Sequence, residues 1–198
     1  MPSAPETLPT ASAEHPESAQ AARRVVRLPD ARFFVRTIVV PPQATPDEVL
    51  SQVELALEAY SPFPLSQLYH GHFWLPGETQ ALVYAAFRRR FTAEETDTWR
   101  EADLVMPEFA SVLGLRPETG TTVLISEENG ITGVHWGHAG AVPSRIVTNP
   151  VPPEASEQVR GGVRQDVVRA LGGSLKVIEL GAPPPLVTRD DPDARDFD

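Results

Sequence analysis

The chain has 198 residues, 41% of them apolar, and a formal net charge of −10. That length allows one domain of ordinary size or two small lobes, with enough apolar residues for a sizeable core. The acidic balance lacks the electrostatic footprint of a nucleic-acid binder. The absence of cysteine excludes disulfides, thiolate metal sites and cysteine nucleophiles.

No stretch approaches the ~20 apolar residues of a membrane span; the longest candidate, "ALVYAAF" at 81–87, is strand-sized. The first twenty residues have neither the basic start nor the apolar centre of a signal peptide. These features lead us to expect a soluble, cytoplasmic chain.

Residues 1–22 are rich in Pro, Ala, Ser and Glu without periodicity, and residues 182–198 read the same way. Both are expected to be disordered tails, the second acidic. Between them, "ARFFVRTIVVPP" predicts a strand over about 32–40, ended by two prolines. "TPDEVLSQVELALEAY" predicts a helix. Thr45 is its N-cap, Pro46 takes the first helical position and Glu48 completes a capping box. Val49, Leu50, Val53, Leu57 and Tyr60 fall on one face. "SPFP" stops it, because proline removes a donor and restricts its predecessor.

Two strands follow, "QLYHGHFWL" and "ALVYAAFRR", joined by a Pro-Gly turn. "TAEETDTWREA" predicts a second helix with its own capping box, Thr92 and Glu95. "DLVMPEFASVLGL" predicts a short strand running into a short helix that Gly114 terminates. After "RPETG" come strands in "TTVLIS", "ITGVHWG" and "VPSRIV", a helix in "PPEASEQVRGGVRQDVVRAL" and a strand in "LKVIEL". This β-β-β-α-β order is the skeleton of a ribonuclease-H-like fold, a mixed sheet with helices packed on it. Gly161 and Gly162 weaken the last helix by roughly 1 kcal/mol each.

Few residues announce chemistry. His70 and His72 share one face of a strand and could be half of a metal site. Zinc needs further ligands, and His135, His138 and the nearby glutamates lack the spacing of a recognised motif. The set Tyr69, Gly71, Phe73 and Leu75 reads as the core face of that strand. The only lysine, Lys176, lies outside any phosphate-loop pattern, and no Gly-x-Ser-x-Gly elbow occurs. Asp103, Glu108, Glu127 and Glu128 read as solvated carboxylates. Arg88, Arg89 and Arg90 could engage an acidic partner or form a solvated strand end balanced by Glu94 and Glu95.

The run from Thr45 through the Pro62-Phe63-Pro64 step to Trp74 resembles actin-like bacterial assembly proteins. These are the M-type proteins of type IV pili and the cytoplasmic part of the L-type inner-membrane proteins of type II secretion. The section 81–115, with its Met106-Pro107-Glu108 junction, is similar to the next part of that family. Residues 121–147 resemble the strands that open its second half, including a glycine, Gly140, followed by Arg145 before the third strand. The resemblance covers roughly 32–180. It implies an actin-like α/β fold of ribonuclease-H-like lobes with mixed sheets and flanking helices. The first lobe is expected at 23–117 and a truncated second lobe at 118–181.

ATP-binding members of that family carry Asp-x-Gly turns that grip phosphate. The second-half turn here is Ser126-Glu127-Glu128-Asn129-Gly130, and nothing like Asp-x-Gly stands at 23–36. Two glutamates would also repel a triphosphate unless a metal lay between them. The resemblance therefore implies a degenerate, non-catalytic scaffold without a cofactor, closer to the L-type protein or a fragment of a longer one. It would bind assembly-platform proteins or an assembly ATPase at the inner face of the inner membrane, and a homodimer is left open. Membrane attachment would come through a partner or a downstream segment, with the tail after Pro185 as a linker. Phe63, Tyr69, Arg88, Arg89 and Arg90 are the candidate partner-binding residues. An ATP-binding assembly protein and a metal-dependent hydrolase built on His70 and His72 are the alternatives.

Overall fold

The computed structural model describes residues 24–172 and 176–181; the two expected tails lie outside the described residues. Chain order is β1 (Val25–Leu28), β2 (Phe34–Val39), α1 (Pro46–Tyr60), β3 (Leu68–Phe73), β4 (Gln80–Phe87), α2 (Ala93–Trp99), β5 (Leu104–Pro107), β6 (Thr121–Ser126), β7 (Gly130–Trp136), β8 (Arg145–Pro150), α3 (Glu157–Ala170) and β9 (Lys176–Leu180). Short 3₁₀ turns at Asp30–Arg32, Arg88–Arg90 and Glu108–Val112 connect some of them. Among the described residues, no helix is long and apolar enough to cross a membrane.

The described residues form three sheets. β1 and β5 pair in parallel, with Val25 opposite Leu104. A second sheet has the order β2-β4-β3, all antiparallel. The third has the order β8-β7-β6-β9, antiparallel except that β9 runs parallel to β6. The expected β-β-β-α-β unit is thus present over Thr121–Leu180.

The apolar run in β4 is continuous because both of its faces are covered. Ala81, Val83 and Ala85 pack with Val49, Val53 and Leu57 of α1. The alternate residues Leu82, Tyr84 and Ala86 face a larger core, which takes Val123 and Ile125 from β6 and Val134 and Trp136 from β7. Leu28 and Phe109 complete it from the ends of β1 and β5, so side chains of all three sheets meet in one apolar cluster. Burying an aliphatic side chain as fully as Val49, Val53 and Leu57 contributes about 1.5–3 kcal/mol. On the far side of the third sheet, α3 lays Val167 and Leu171 against Leu124 and Ile131.

Both capping boxes form. Thr45 accepts from the Glu48 N–H while the Glu48 carboxylate accepts from the Thr45 N–H, and Thr92 and Glu95 repeat the arrangement. Gly114 adopts φ +84° where the expected short helix ends, although that segment is a 3₁₀ turn. α3 runs unbroken through Gly161 and Gly162. The third strand of the second unit starts at Arg145, later than its sequence suggests. Val142 and Pro143 are buried in the loop before it, where Thr37 of β2 donates its hydroxyl toward the Pro143 and Ser144 carbonyls at 3.2 and 3.3 Å.

On β3, Tyr69 and Phe73 pack against the shared core and Gly71 is buried between them, as their alternation predicts. A Cβ on Gly71 would stand 2.8 Å from the Tyr84 ring, so this position must be glycine for the ring to cross the strand. The histidine face is less polar than its sequence suggests. Leu68 and Trp74 flank it and pack toward α1, and His70 and His72 are themselves half-buried.

Candidate functional site

A groove opens where α2 lies across the start of β3 and the β1–β5 pair. It encloses about 310 Å³ and is lined chiefly by Leu28, Tyr69, Thr96, Trp99, Leu104 and Val105. Its aromatic wall is an edge-to-face cluster. Tyr69 stands 5.6 Å from Trp99 and 5.8 Å from Phe91, and Phe91 stands 4.9 Å from Trp99. Such geometry places ring edges against ring faces and holds each ring in one orientation. Charged groups border the opening: Arg100 and Asp103 line it, Arg100 pairs with Asp97 at 3.1 Å, and Arg24 pairs with Glu101.

Two of the five residues singled out from the sequence meet here. The Arg88 guanidinium lies 4.4 Å from the Tyr69 ring centre, and its Nε donates to the Leu68 carbonyl at 3.1 Å. The others are placed differently. Arg90 donates to the Arg32 carbonyl at 3.0 Å, and Arg89 is exposed on the same 3₁₀ turn. Phe63 stacks on Phe87 at 3.9 Å; strand alternation places Phe87 on the α1 face of its sheet, opposite Tyr69. Glu95, expected to balance the arginine run, instead pairs with Arg32 at 2.6 Å. Trp99 completes the groove without having been singled out. Its place at the end of the short, polar helix α2 reads from sequence as ordinary packing, and only the fold brings it to Tyr69.

A second feature lies where the turn after β1 meets the β6–β7 turn. Asp30 is only 1% exposed. Its Oδ1 accepts from the Phe109 N–H at 2.9 Å, and the Thr132 hydroxyl, itself bonded to Thr148 at 2.9 Å, is beside it. The Glu127 carboxyl comes within hydrogen-bonding reach of both Asp30 and Glu108. Burial raises the Asp30 carboxyl above the ordinary carboxylate range, against the lowering effect of the Phe109 N–H. Burial also pushes Glu127 strongly up, reinforced by the charges of Asp30 and Glu108. Glu108 and Glu127 are therefore not solvated surface groups, as their sequence suggests, because the fold gathers them around a buried acid.

The β6–β7 turn that carries Glu127 is also tied down. The Glu127 N–H donates to the Gly130 carbonyl at 2.9 Å. Arg160 of α3 donates to the Glu127 and Glu128 carbonyls at 3.0 and 2.7 Å. Among the described residues, no group of three or more His, Asp or Glu side chains is arranged to hold a metal ion.

These layers and strand orders define an actin-like α/β protein. Among solved structures, the chain is similar to the cytoplasmic domain of EpsL, an inner membrane component of the type II secretion system of Vibrio cholerae. The TM-score is 0.50 and the identity 15%, over 84% of this chain and 64% of that one. It also resembles a PilM–PilN type IV pilus biogenesis complex (TM-score 0.46, 18% identity, 75% of this chain and 54% of that one). A third similar structure is a Bacteroides thetaiotaomicron protein with an actin-like ATPase fold and unknown function (TM-score 0.45, 9% identity, 81% and 60%). The chain thus spans less than two thirds of the length of the EpsL domain. No protein-family model and no curated protein matches it. The actin-like fold expected from the sequence is the fold observed.

Proposed function

We propose that this chain is a non-catalytic, actin-like scaffold domain of a type II secretion or type IV pilus assembly platform, working at the inner face of the inner membrane. Its task is to bind other assembly proteins. The groove between α2, β3 and the β1–β5 pair supplies the contact. An apolar side chain of the partner would bury against Tyr69 and Trp99, with the charged border setting orientation. The likeness of fold to an inner-membrane secretion component and the sequence resemblance over 32–180 support this reading.

One observation carries the non-catalytic part. At the turn where nucleotide-binding relatives grip phosphate, this chain places the Glu127 carboxyl against buried Asp30 and Glu108. A triphosphate brought there meets carboxyl oxygens rather than the N–H donors that hold phosphate, and each carboxyl that stays ionised repels it. The Glu127 N–H is already used within the hairpin.

Thermal unfolding with and without millimolar Mg-ATP tests this. A ligand that binds only the folded chain raises the melting temperature by mass action. We expect no rise; a concentration-dependent rise would establish a nucleotide site and replace the scaffold reading.

A further inference from the structure

The acidic junction has a property that partner binding does not require. Asp30 Oδ2 and Glu127 Oε1 are both buried, and among the described residues neither receives a hydrogen bond from an N–H or O–H group. Both are acceptors when ionised, and an unsatisfied buried acceptor costs about 1–3 kcal/mol, more for a charged group. The two side chains lie within reach of each other, and a proton on one carboxyl converts it into a donor to the other.

We propose that Asp30 and Glu127 share one proton and form a latch between the 3₁₀ turn after β1 and the β6–β7 turn, so that the junction holds at mildly acidic and neutral pH and loosens as the medium becomes alkaline. The two residues come from distant parts of the sequence, and Asp30 is itself anchored to the end of β5 through the Phe109 N–H. One proton therefore ties together the first sheet pair and the third sheet.

The groups facing the pair favour this state. Glu108, at the start of the 3₁₀ turn after β5, adds a third acid. β7 and β8 contribute the neutral hydroxyls of Thr132 and Thr148. From α3, Arg160 reaches the same turn, but its guanidinium donates to the Glu127 and Glu128 carbonyls. Glu128 is exposed. With both carboxyls ionised, repulsion would act between buried groups, the situation in which paired carboxyls retain a proton. Burial and neighbouring charge raise both groups above their ordinary range. The folded chain therefore holds protons that the unfolded chain releases above about pH 4. Stability is greatest below that point and declines as pH rises toward the folded values.

The test is urea unfolding of the full chain from about pH 5 to about pH 9, for the native protein and for Glu127→Gln. The glutamine amide supplies a permanent donor to Asp30 and cannot titrate. In the native protein the unfolding constant should rise with pH, by up to about tenfold per pH unit for one retained proton. In Glu127→Gln that rise should largely disappear. An equal slope in both proteins overturns the proposal. If the variant does not fold, infrared spectroscopy of the native chain at neutral pH decides. A protonated-carboxyl C=O band that vanishes at alkaline pH supports the latch, and its absence overturns it. Stabilisation by Mg²⁺ or Ca²⁺ alone at alkaline pH, abolished by chelator, would identify a cation bridge and also overturn it.

Discussion

Arg88 lies over the face of Tyr69, 4.4 Å from the ring centre, while its Nε holds the Leu68 carbonyl. One side chain thereby fixes both the ring that walls the groove and the backbone beside it. Lysine could keep the charge but not the planar stack with a directed Nε bond. Arg88→Lys should therefore behave more like Arg88→Ala than like the native protein. Each should lose about 0.5–1 kcal/mol in urea unfolding, the range of an exposed cation–π contact.

Trp99→Ala probes the groove itself. Truncating a fully buried Trp costs about 3–5 kcal/mol, and Trp99 is only partly buried. A loss of about 2 kcal/mol, with retained folding, is expected. The same variant should abolish binding of any assembly protein that recognises the native chain, whereas Phe63→Ala, on the other face of the sheet, should leave binding intact. Equal loss of binding in the two variants would move the contact away from the groove.

Glycines separate two kinds of constraint. A Cβ at Gly133 of β7 would stand 2.6 Å from both Val167 and Leu171 of α3, and 3.3 Å from Leu124. Gly133→Ala should force α3 off the sheet and cost roughly 1–3 kcal/mol, as overpacking does. In α3, a Cβ at Gly161 or Gly162 meets nothing within 4 Å. Alanine at either position should stabilise by about 0.5–1 kcal/mol through helix propensity and a less flexible unfolded chain. Urea midpoints of the three variants test the opposite signs.

What the sequence made legible was local. The capping boxes are set by residues three apart, and the β4 run reads directly because its neighbours cover both faces. β1 is not legible because four residues, two of them adjacent valines, give no alternation to count, and its partner β5 lies far along the chain. The acidic junction was hidden for the same reason. Asp30, Glu108 and Glu127 each sit in a short polar turn that reads as surface, and only the packing of the sheets brings them together. Arg88 reads from sequence as part of a charge run and Tyr69 as part of a core face, and only the fold stacks one on the other.

The capping carboxylates titrate with the opposite sign to the junction. Glu48 is held below its ordinary range by the backbone and hydroxyl of Thr45. Glu95 is lowered by the Thr92 N–H and then by Arg32. The stabilisation they give is present above the unfolded carboxylate range and is lost as pH falls through their lowered folded values. Combined with the junction, native stability should pass through a maximum in mildly acidic solution. Thr92→Ala should cost about 1 kcal/mol as a lost cap yet leave most of the acid limb, because the Thr92 N–H and Arg32 that lower Glu95 remain. A stability profile that rises steadily to pH 9 would contradict the junction, and one that does not fall at low pH would contradict the caps.

Glu78 makes another tie between the second sheet and the loop before β8. Its Oε1 accepts from the N–H of fully buried Ala141 at 2.9 Å, across from the loop where Gly140 has φ +144°. Beside it, His138 and Gln80 meet at 2.6 Å. Glu78→Ala would leave a buried N–H without its acceptor, at a cost of about 1–3 kcal/mol. Glu78→Gln keeps an acceptor oxygen and should retain much of that stability. The comparison separates hydrogen bonding from charge: if the glutamine variant is as unstable as the alanine variant, the carboxylate acts through its charge. Amide hydrogen exchange at Ala141 gives a local reading, and protection there should fall in the alanine variant more than at the distant α3.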